Sequence, residues 1–311
     1  MEKRNVFVVG LDQISRDKLE SIEHAERYRF HQVLPLEEVQ KAKNYPIGEW
    51  LEGAERQLDA FPGSLDAIIG FWDFPISLMV PILCGEYGTM GPDLNVVLKC
   101  EHKYWSRLLQ RQAIPEAVPR FQAVNPFDRD SVAALEIGYP LWIKPVKAFA
   151  SQLGFKVGSD EELEHALGEL KRGLERFAVP FNEILSRAEL TQEVPPVDGY
   201  WCVAEQLMLG TQHTVAGYAH RGAVHIYGVI DSLNYPGSTS FFRYRYPSLL
   251  PAPIRERAAE MARKIMRRVG FDDWPFNIEF FYDRDTDRIS VLEINTRISQ
   301  SHSDLFDKVD G

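Results

Sequence analysis

Two glutamates and an asparagine toward the end of this 311-residue chain stand where they could hold a divalent cation. Residues 276–297 read FNIEFFYDRDTDRISVLEINTR. Two runs rich in aromatic and β-branched residues flank a polar knot at 283–288, the pattern of a β-hairpin. A turn centred on Thr286 sets Glu279 across from Glu293 and Asn277 across from Asn295. Because side chains alternate, Glu293, Asn295 and Arg297 then project from the same side as Glu279. Like charges directly opposite one another destabilise a sheet and raise each other's proton affinity unless a cation lies between them. Three oxygen donors suit Mg²⁺ or Mn²⁺ better than zinc. The arginine that follows points to an anion beside the metal, most simply a phosphate. A solvent-facing hairpin with two exposed carboxylates in a slightly different register is the alternative, and the rest of the chain has to decide between them.

Composition bounds the answer. The chain is long enough for two or three domains, and 45% hydrophobic with 26% charged residues is ordinary for a globular protein. A net charge of -10 argues against general nucleic-acid binding. No apolar run is long enough to span a membrane, and MEKRNVFVVG enters a short strand without a signal-peptide core. Cys84, Cys100 and Cys202 are odd in number and widely spaced, which fits neither a disulfide framework nor a zinc knuckle. A cytoplasmic location is expected.

The elements that must position the hairpin residues follow from the chain in order. Residues 1–98 alternate strand and helix signals, with strands at 5–9, 28–34 and 65–71 and helices at 15–27, 46–61 and 75–87, the pattern of a parallel α/β unit. Gly10 stands alone after the first strand, so the unit has no dinucleotide fingerprint, and Asp73 reads as a helix cap. A helix over 95–112 carries Lys99, His102, Lys103 and Arg107, read as a solvated basic face. At 141–145 an apolar strand ends in Lys144, followed by the polar loop 147–154 and a strand at 155–157. Strand, lysine, loop, strand is an arrangement that can hold a triphosphate with backbone N–H groups and an ammonium. A helix runs from Asp160 to about residue 177, and 192–199 reads as a link. Strands at 200–207 (containing Glu205), 212–219 and 224–230 lead to a loop at 234–240 and to Arg243 and Arg245, which alternate with aromatics. A helix over 251–269 has Pro near its start and Gly270 just past its end.

In this order, the segments Ile143-Lys144-Pro145, Glu205 to Gly210, Asn277-Ile278-Glu279-Phe280 and Val291-Leu292-Glu293-Ile294-Asn295-Thr296-Arg297 resemble the ATP-grasp superfamily. The resemblance covers most of the chain and implies mixed α/β and α+β architecture. A Rossmann-like parallel domain at 1–98 would precede an ATP-grasp fold of two α+β subdomains, 99–199 (linker helix and lid) and 200–311. The last would be cut short, since relatives usually continue beyond the metal motif. By the same resemblance Lys144 contacts ATP phosphates with Lys103 as a second phosphate-side lysine. Ser151 and Gly154 belong to the phosphate lid, and Glu205, Gln206 and Leu207 line the adenine slot, largely through backbone groups. Gln212 stands where relatives often have a ribose-binding Glu. Glu279, Glu293 and Asn295 bind Mg²⁺ or Mn²⁺, and Arg297 stabilises the transferring phosphoryl group.

The activity so implied is a carboxylate–amine ligase that uses ATP to form an acylphosphate and releases ADP and phosphate. Arg243, Arg245 and His302 are candidates for contacting the substrate. Expected partners are small-molecule carboxylates and amines, without nucleic acid or membrane, and a homodimer is a reasonable prior. Two other readings stay open: a non-catalytic ATP-binding regulatory or scaffold protein of the same fold, and a carboxylase working through carboxyphosphate in the manner of biotin carboxylase.

Overall fold

A computed structural model describes residues 3–189, 194–235, 237–238 and 240–311. The link at 192–199 and the loop at 234–240 lie partly outside the described residues.

The first strand is buried at nearly every position, which requires cover on both faces. β1 (Arg4–Leu11), β2 (Tyr28–Pro35) and β3 (Ala67–Gly70) pair in parallel in the order β2-β1-β3. Val6 lies opposite Phe30 on one side and Ala67 on the other. The cover comes from α1 (Gln13–Ser21), α2 (Leu36–Lys41), α3 (Ile47–Asp59) and α4 (Ile76–Tyr87). α4 is buried from Ile76 through Cys84 and forms the centre of the largest apolar cluster.

The helix expected over 95–112 is two: α5 (Leu94–Glu101) and α6 (Lys103–Ala113). His102 breaks it with an extended ψ of 102°, and its Nδ1 caps α6 by accepting from the Trp105 N–H at 3.3 Å. The ring stacks on Trp105 at 3.9 Å and its Nε2 lies 2.9 Å from the Val197 carbonyl. No Gly or Pro marks this break, so periodicity alone runs through it.

A second, antiparallel sheet has the order β4-β7-β5-β6. It comprises β4 (Phe121–Val124), β5 (Leu141–Pro145), β6 (Phe155–Val157) and β7 (Cys202–Gln206), with α7 (Arg129–Ala133) after β4 and with α8 (Asp160–Gly173) and α9 (Glu175–Leu185) between β6 and β7. α8 is capped by Ser159, whose side chain accepts from the Glu162 N–H. β7 thus belongs to this middle sheet, where the sequence expectation grouped it with the C-terminal one. The change of sheet comes at Gly210, whose φ of +107° and close approach to Tyr282 (an added Cβ would lie 2.1 Å from its carbonyl oxygen) leave room for no side chain.

The third sheet, order β10-β9-β8-β11-β12, is built from β8 (Thr211–His220), β9 (Ala223–Asn234), β10 (Phe241–Arg245), β11 (Trp274–Asp283) and β12 (Arg288–Asn295). α10 (Ala252–Val269) packs on it through Ala258, Ala262, Ile265 and Met266. After β12 the chain forms α11 (Gln300–Asp310), tied back to α1 by Lys18 to Asp304 and Asp307 at 2.8 and 2.7 Å.

Candidate active site

The hairpin register places Asn277 opposite Asn295 and Glu279 opposite Glu293. The turn is not centred on Thr286, however: Asp283 pairs with Arg288 and Phe280 with Val291. A bulge between Glu279 and Phe280 on one side and Val291 and Glu293 on the other absorbs the one-residue difference. The expected pairing at the carboxylates therefore stands although the expected turn does not. The bulge also turns the Val291 and Leu292 carbonyls toward a buried guanidinium: Arg107 donates to them from Nη1 at 2.7 Å and Nη2 at 2.9 Å.

Arg107 is 1% exposed, which overturns its reading as a solvated residue. Its Nε donates to Glu205 Oε1 at 2.5 Å, and Lys144 Nζ lies 2.9 Å from Glu205 Oε2. Burial alone would push the Glu205 carboxyl up, but the charges of Arg107 and Lys144 outweigh it and hold it at about 2. The Glu205 side chain is therefore a strut joining α6, β5 and β7. The signal available in the sequence was two charged residues, Lys144 and Glu205, on otherwise apolar strands, because buried charges need partners.

A second strut begins at Glu101. It accepts from Lys147 Nζ at 2.6 Å, Ser77 Oγ at 2.9 Å and Thr296 Oγ1 at 2.5 Å. Lys147, expected to open a polar loop, is 3% exposed and anchors it, and Thr296 locks the end of β12 onto α5. Arg297 is held from the loop after β3, where Asp73 Oδ2 accepts from its Nη2 at 2.7 Å. Asp73 also accepts from the Phe74 N–H at 2.7 Å. Its carboxyl would rise on burial, yet the charges of Arg297 and Lys147 hold it well below the usual range.

These elements line a cavity of about 880 Å³ between the middle and C-terminal sheets, which residues 71–73 also border. Glu279, Glu293, Lys103, Lys144, Arg297, Ser151, Gly154, Leu207, Gln212 and His302 all line it. Lys103 Nζ donates to the Ala148 carbonyl at 2.8 Å and lies 3.8 Å from Glu293 Oε2. Burial lowers its pKa. The 147–154 loop is shaped by positive φ at Ala150, Ser151 and Leu153, and Gly154 sits where a Cβ would strike the Trp142 ring at 2.8 Å. A glycine-poor loop thus holds its form through left-handed residues and one close approach.

Five candidates fall outside this cavity's lining: Glu205, expected to line an adenine slot, is instead the buried partner of Arg107 and Lys144, Asn295 borders only a smaller cavity, and three more lie elsewhere. Gln206 is exposed, with its backbone N–H bonded to the Arg120 carbonyl at 2.8 Å. Arg243 is exposed, with its guanidinium over the Phe242 ring, and Arg245 is bound to Asp231 at 2.6 Å. On β10 the residues facing the cavity are instead Phe241 and Tyr244, because a bulge between Phe241 and Arg243 shifts the alternation.

Glu279 carries the site's unbalanced charge. Burial first, and the Glu293 carboxylate second, push its carboxyl up to about 7. Two amides relieve it in part: Gln212 Nε2 donates at 2.6 Å and Asn295 Nδ2 at 3.1 Å. Asn295 Nδ2 also donates to Asn277 Oδ1 at 3.0 Å, and Asn277 Nδ2 to the Arg297 carbonyl, again at 3.0 Å. With its Nδ2 so engaged, Asn295 has its carbonyl oxygen left to offer a cation. It borders a smaller cavity of about 20 Å³ that shares Lys103 and Glu293 with the larger one. Among the described residues no group of three or more His, Cys, Asp or Glu converges. Two carboxylates and an amide oxygen nevertheless fit a hard cation that takes its other ligands from phosphate and water, and such a cation would relieve the repulsion at Glu279.

The residues 137–303, just over half of the chain, match the model of the ATP-grasp domain family. No curated protein sequence matches the chain. Among solved structures, an L-amino acid ligase from Bacillus licheniformis superposes with a TM-score of 0.71 at 17% identity, over 97% of this chain and 70% of that one. The VanG D-Ala:D-Ser ligase from Enterococcus faecalis gives 0.68 at 15% identity, over 96% and 92%. A biotin carboxylase from Campylobacter jejuni, solved with β,γ-ATP, gives 0.66 at 15%, over 96% and 66%. At these identities the superpositions speak for the fold, and no helix among the described residues is long and apolar enough to cross a membrane. The domain match, together with the paired glutamates and lysines gathered on one cavity, makes this chain a member of the ATP-grasp domain family.

Proposed function

We propose that the chain joins a carboxylate to an amine at the expense of ATP, through an acylphosphate, with Mg²⁺ or Mn²⁺ at the hairpin. The observation that carries this reading is the convergence of Glu279, Glu293, Lys103, Lys144 and Arg297 on one cavity. The nucleotide base would lie against Leu207 and Met208, and its phosphates between the two lysines and the hairpin, under the 147–154 loop. The metal, held by Glu279, Glu293 and Asn295, would supply charge neutralisation along the phosphates. A substrate carboxylate oxygen attacks the γ-phosphorus, and the bond to the β-phosphate oxygen breaks with its electron pair leaving on ADP. The amine then attacks the acyl carbon, phosphate departs with the C–O electron pair, and the amine loses a proton. Lys103, Lys144 and Arg297 act by position and charge, which is the main source of rate in phosphoryl transfer. Closure of the loops around the cavity would keep water from the acylphosphate.

The test is ADP release across a panel of acids, with hydroxylamine as the nucleophile so that an acylphosphate is trapped as a hydroxamate. Acid-dependent ADP and stoichiometric hydroxamate are expected. ADP release that depends on bicarbonate alone would assign carboxylation instead. Nucleotide binding without ADP release across the panel would leave a regulatory protein.

A further inference from the structure

The end of the cavity around Arg297 differs in character from the end that holds the lysines. Phe71 and Trp72 enter it from the N-terminal domain just before Asp73, and Phe241 and Tyr244 from β10. The Tyr244 ring meets Phe241 at 5.3 Å and His302 edge-on at 4.9 Å. Beyond the hairpin carboxylates, the charged side chains here are Arg297 and Asp73, which neutralise each other at 2.7 Å. His302 is 5% exposed, and its buried Nδ1 has no hydrogen-bond partner. Burial first, then the nearby charge of Arg297, lower its pKa to about 4, so the ring is uncharged at neutral pH.

We infer that this end of the cavity binds the carbon skeleton of the acid substrate, and that this acid is aromatic or comparably bulky and apolar. The inference rests on the ligase reading and names its substrate class. Arg297 is placed to receive the acid's carboxylate, beside the site of phosphoryl transfer. Phe71, Trp72, Phe241 and Tyr244 offer ring faces and edges to a side chain. With Arg297 shared between Asp73 and that carboxylate, no further cation at this end is left to meet an acidic side chain, which would be desolvated unpaired.

The test is equilibrium binding of matched acids to the whole chain with Mg²⁺ and a non-hydrolysable ATP analogue, followed by ADP release with ATP. The pairs are 3-phenylpropionate against propionate and succinate, and phenylalanine against alanine and aspartate. The ring should tighten binding by about 10–100-fold over the small acid. Phe241→Ala and Trp72→Ala should each bring that ratio toward one, with two variants guarding against a single misfolded protein. Tighter binding or faster ADP release with the small or the second-carboxylate acid overturns the pocket assignment and leaves the ligase reading standing. A ring preference without ADP release from any acid upholds the pocket and overturns the ligase reading. A ring preference that survives both substitutions also overturns the assignment of this wall.

Discussion

Two charged clusters meet β12 within a few residues of each other, and they are built on opposite principles. In the strut, Glu205 meets two cations, and Glu101 meets one cation and two hydroxyls, so every buried charge is answered. In the site, Glu279 faces Glu293, and the charge of Arg297 with two amides relieves it only in part, so that its carboxyl stays raised. The first arrangement holds α5, α6, β5, β7 and β12 in register. The second stores an electrostatic imbalance that a cation and its phosphates can discharge. The strut should therefore govern stability and the site activity, and substitutions can separate the two.

The largest expected effect is on the strut. Arg107→Met leaves Glu205 with one cation and strips two carbonyls of their donor, which should cost roughly 3–5 kcal/mol in denaturant unfolding. If the combined Arg107→Met, Glu205→Leu, Lys144→Met variant recovers most of that stability while remaining inactive, the strut is structural. Next comes the site: Glu293→Ala should lower turnover by about 10²–10³-fold while leaving unfolding free energy unchanged or raised. A matching loss of stability would erase the distinction between the clusters. Lys144→Ala should fall on both sides, losing turnover and about 1–3 kcal/mol of stability, because its ammonium serves Glu205 as well as the cavity.

The pH dependence sharpens the same contrast. Folding raises the Glu279 carboxyl from 4.5 to about 7, so its contribution to stability is full below about pH 4.5 and is lost as pH rises through 7. The loss is at most about 3 kcal/mol. Glu205 runs the other way: held at about 2, its contribution is present above pH 4.5 and is lost as pH falls through 2. Glu279→Gln should flatten the slope between pH 5 and 7; a slope that persists would place the imbalance elsewhere. The smallest effect belongs to Arg243→Ala, exposed and outside the cavity, which should change stability by less than about 0.5 kcal/mol and leave the Michaelis constant for the acid unmoved.

How much of this was legible in the sequence follows the same division. The hairpin could be read because residue types, alternation and like charges in opposition all pointed one way, and because a bulge compensated for a misplaced turn. The N-terminal α/β unit, the Lys144 strand and α10 were legible from periodicity and punctuation. Arg107, Lys147 and Asp73 were not. Their partners lie on elements far along the chain (Val291, Glu101 and Arg297), and a basic residue on a helix looks the same whether water or a carboxylate answers it. The break at His102 was hidden because a histidine cap replaces the usual Gly or Pro. On β10, a bulge exchanged the facing residues from arginines to aromatics, and alternation counted from the sequence cannot detect a bulge.

The central claim is that Glu279 and Glu293 complete a joint site for nucleotide and metal. Its most direct test is the unfolding temperature of wild type and Glu293→Ala with a non-hydrolysable ATP analogue and Mg²⁺, each alone and together. The two ligands together, at about 100 times the dissociation constant, should stabilise the wild type by roughly 2.7 kcal/mol. Neither should do so alone, and the effect should vanish in the variant. An equal shift in Glu293→Ala, or a full shift with nucleotide and no metal, would contradict the claim.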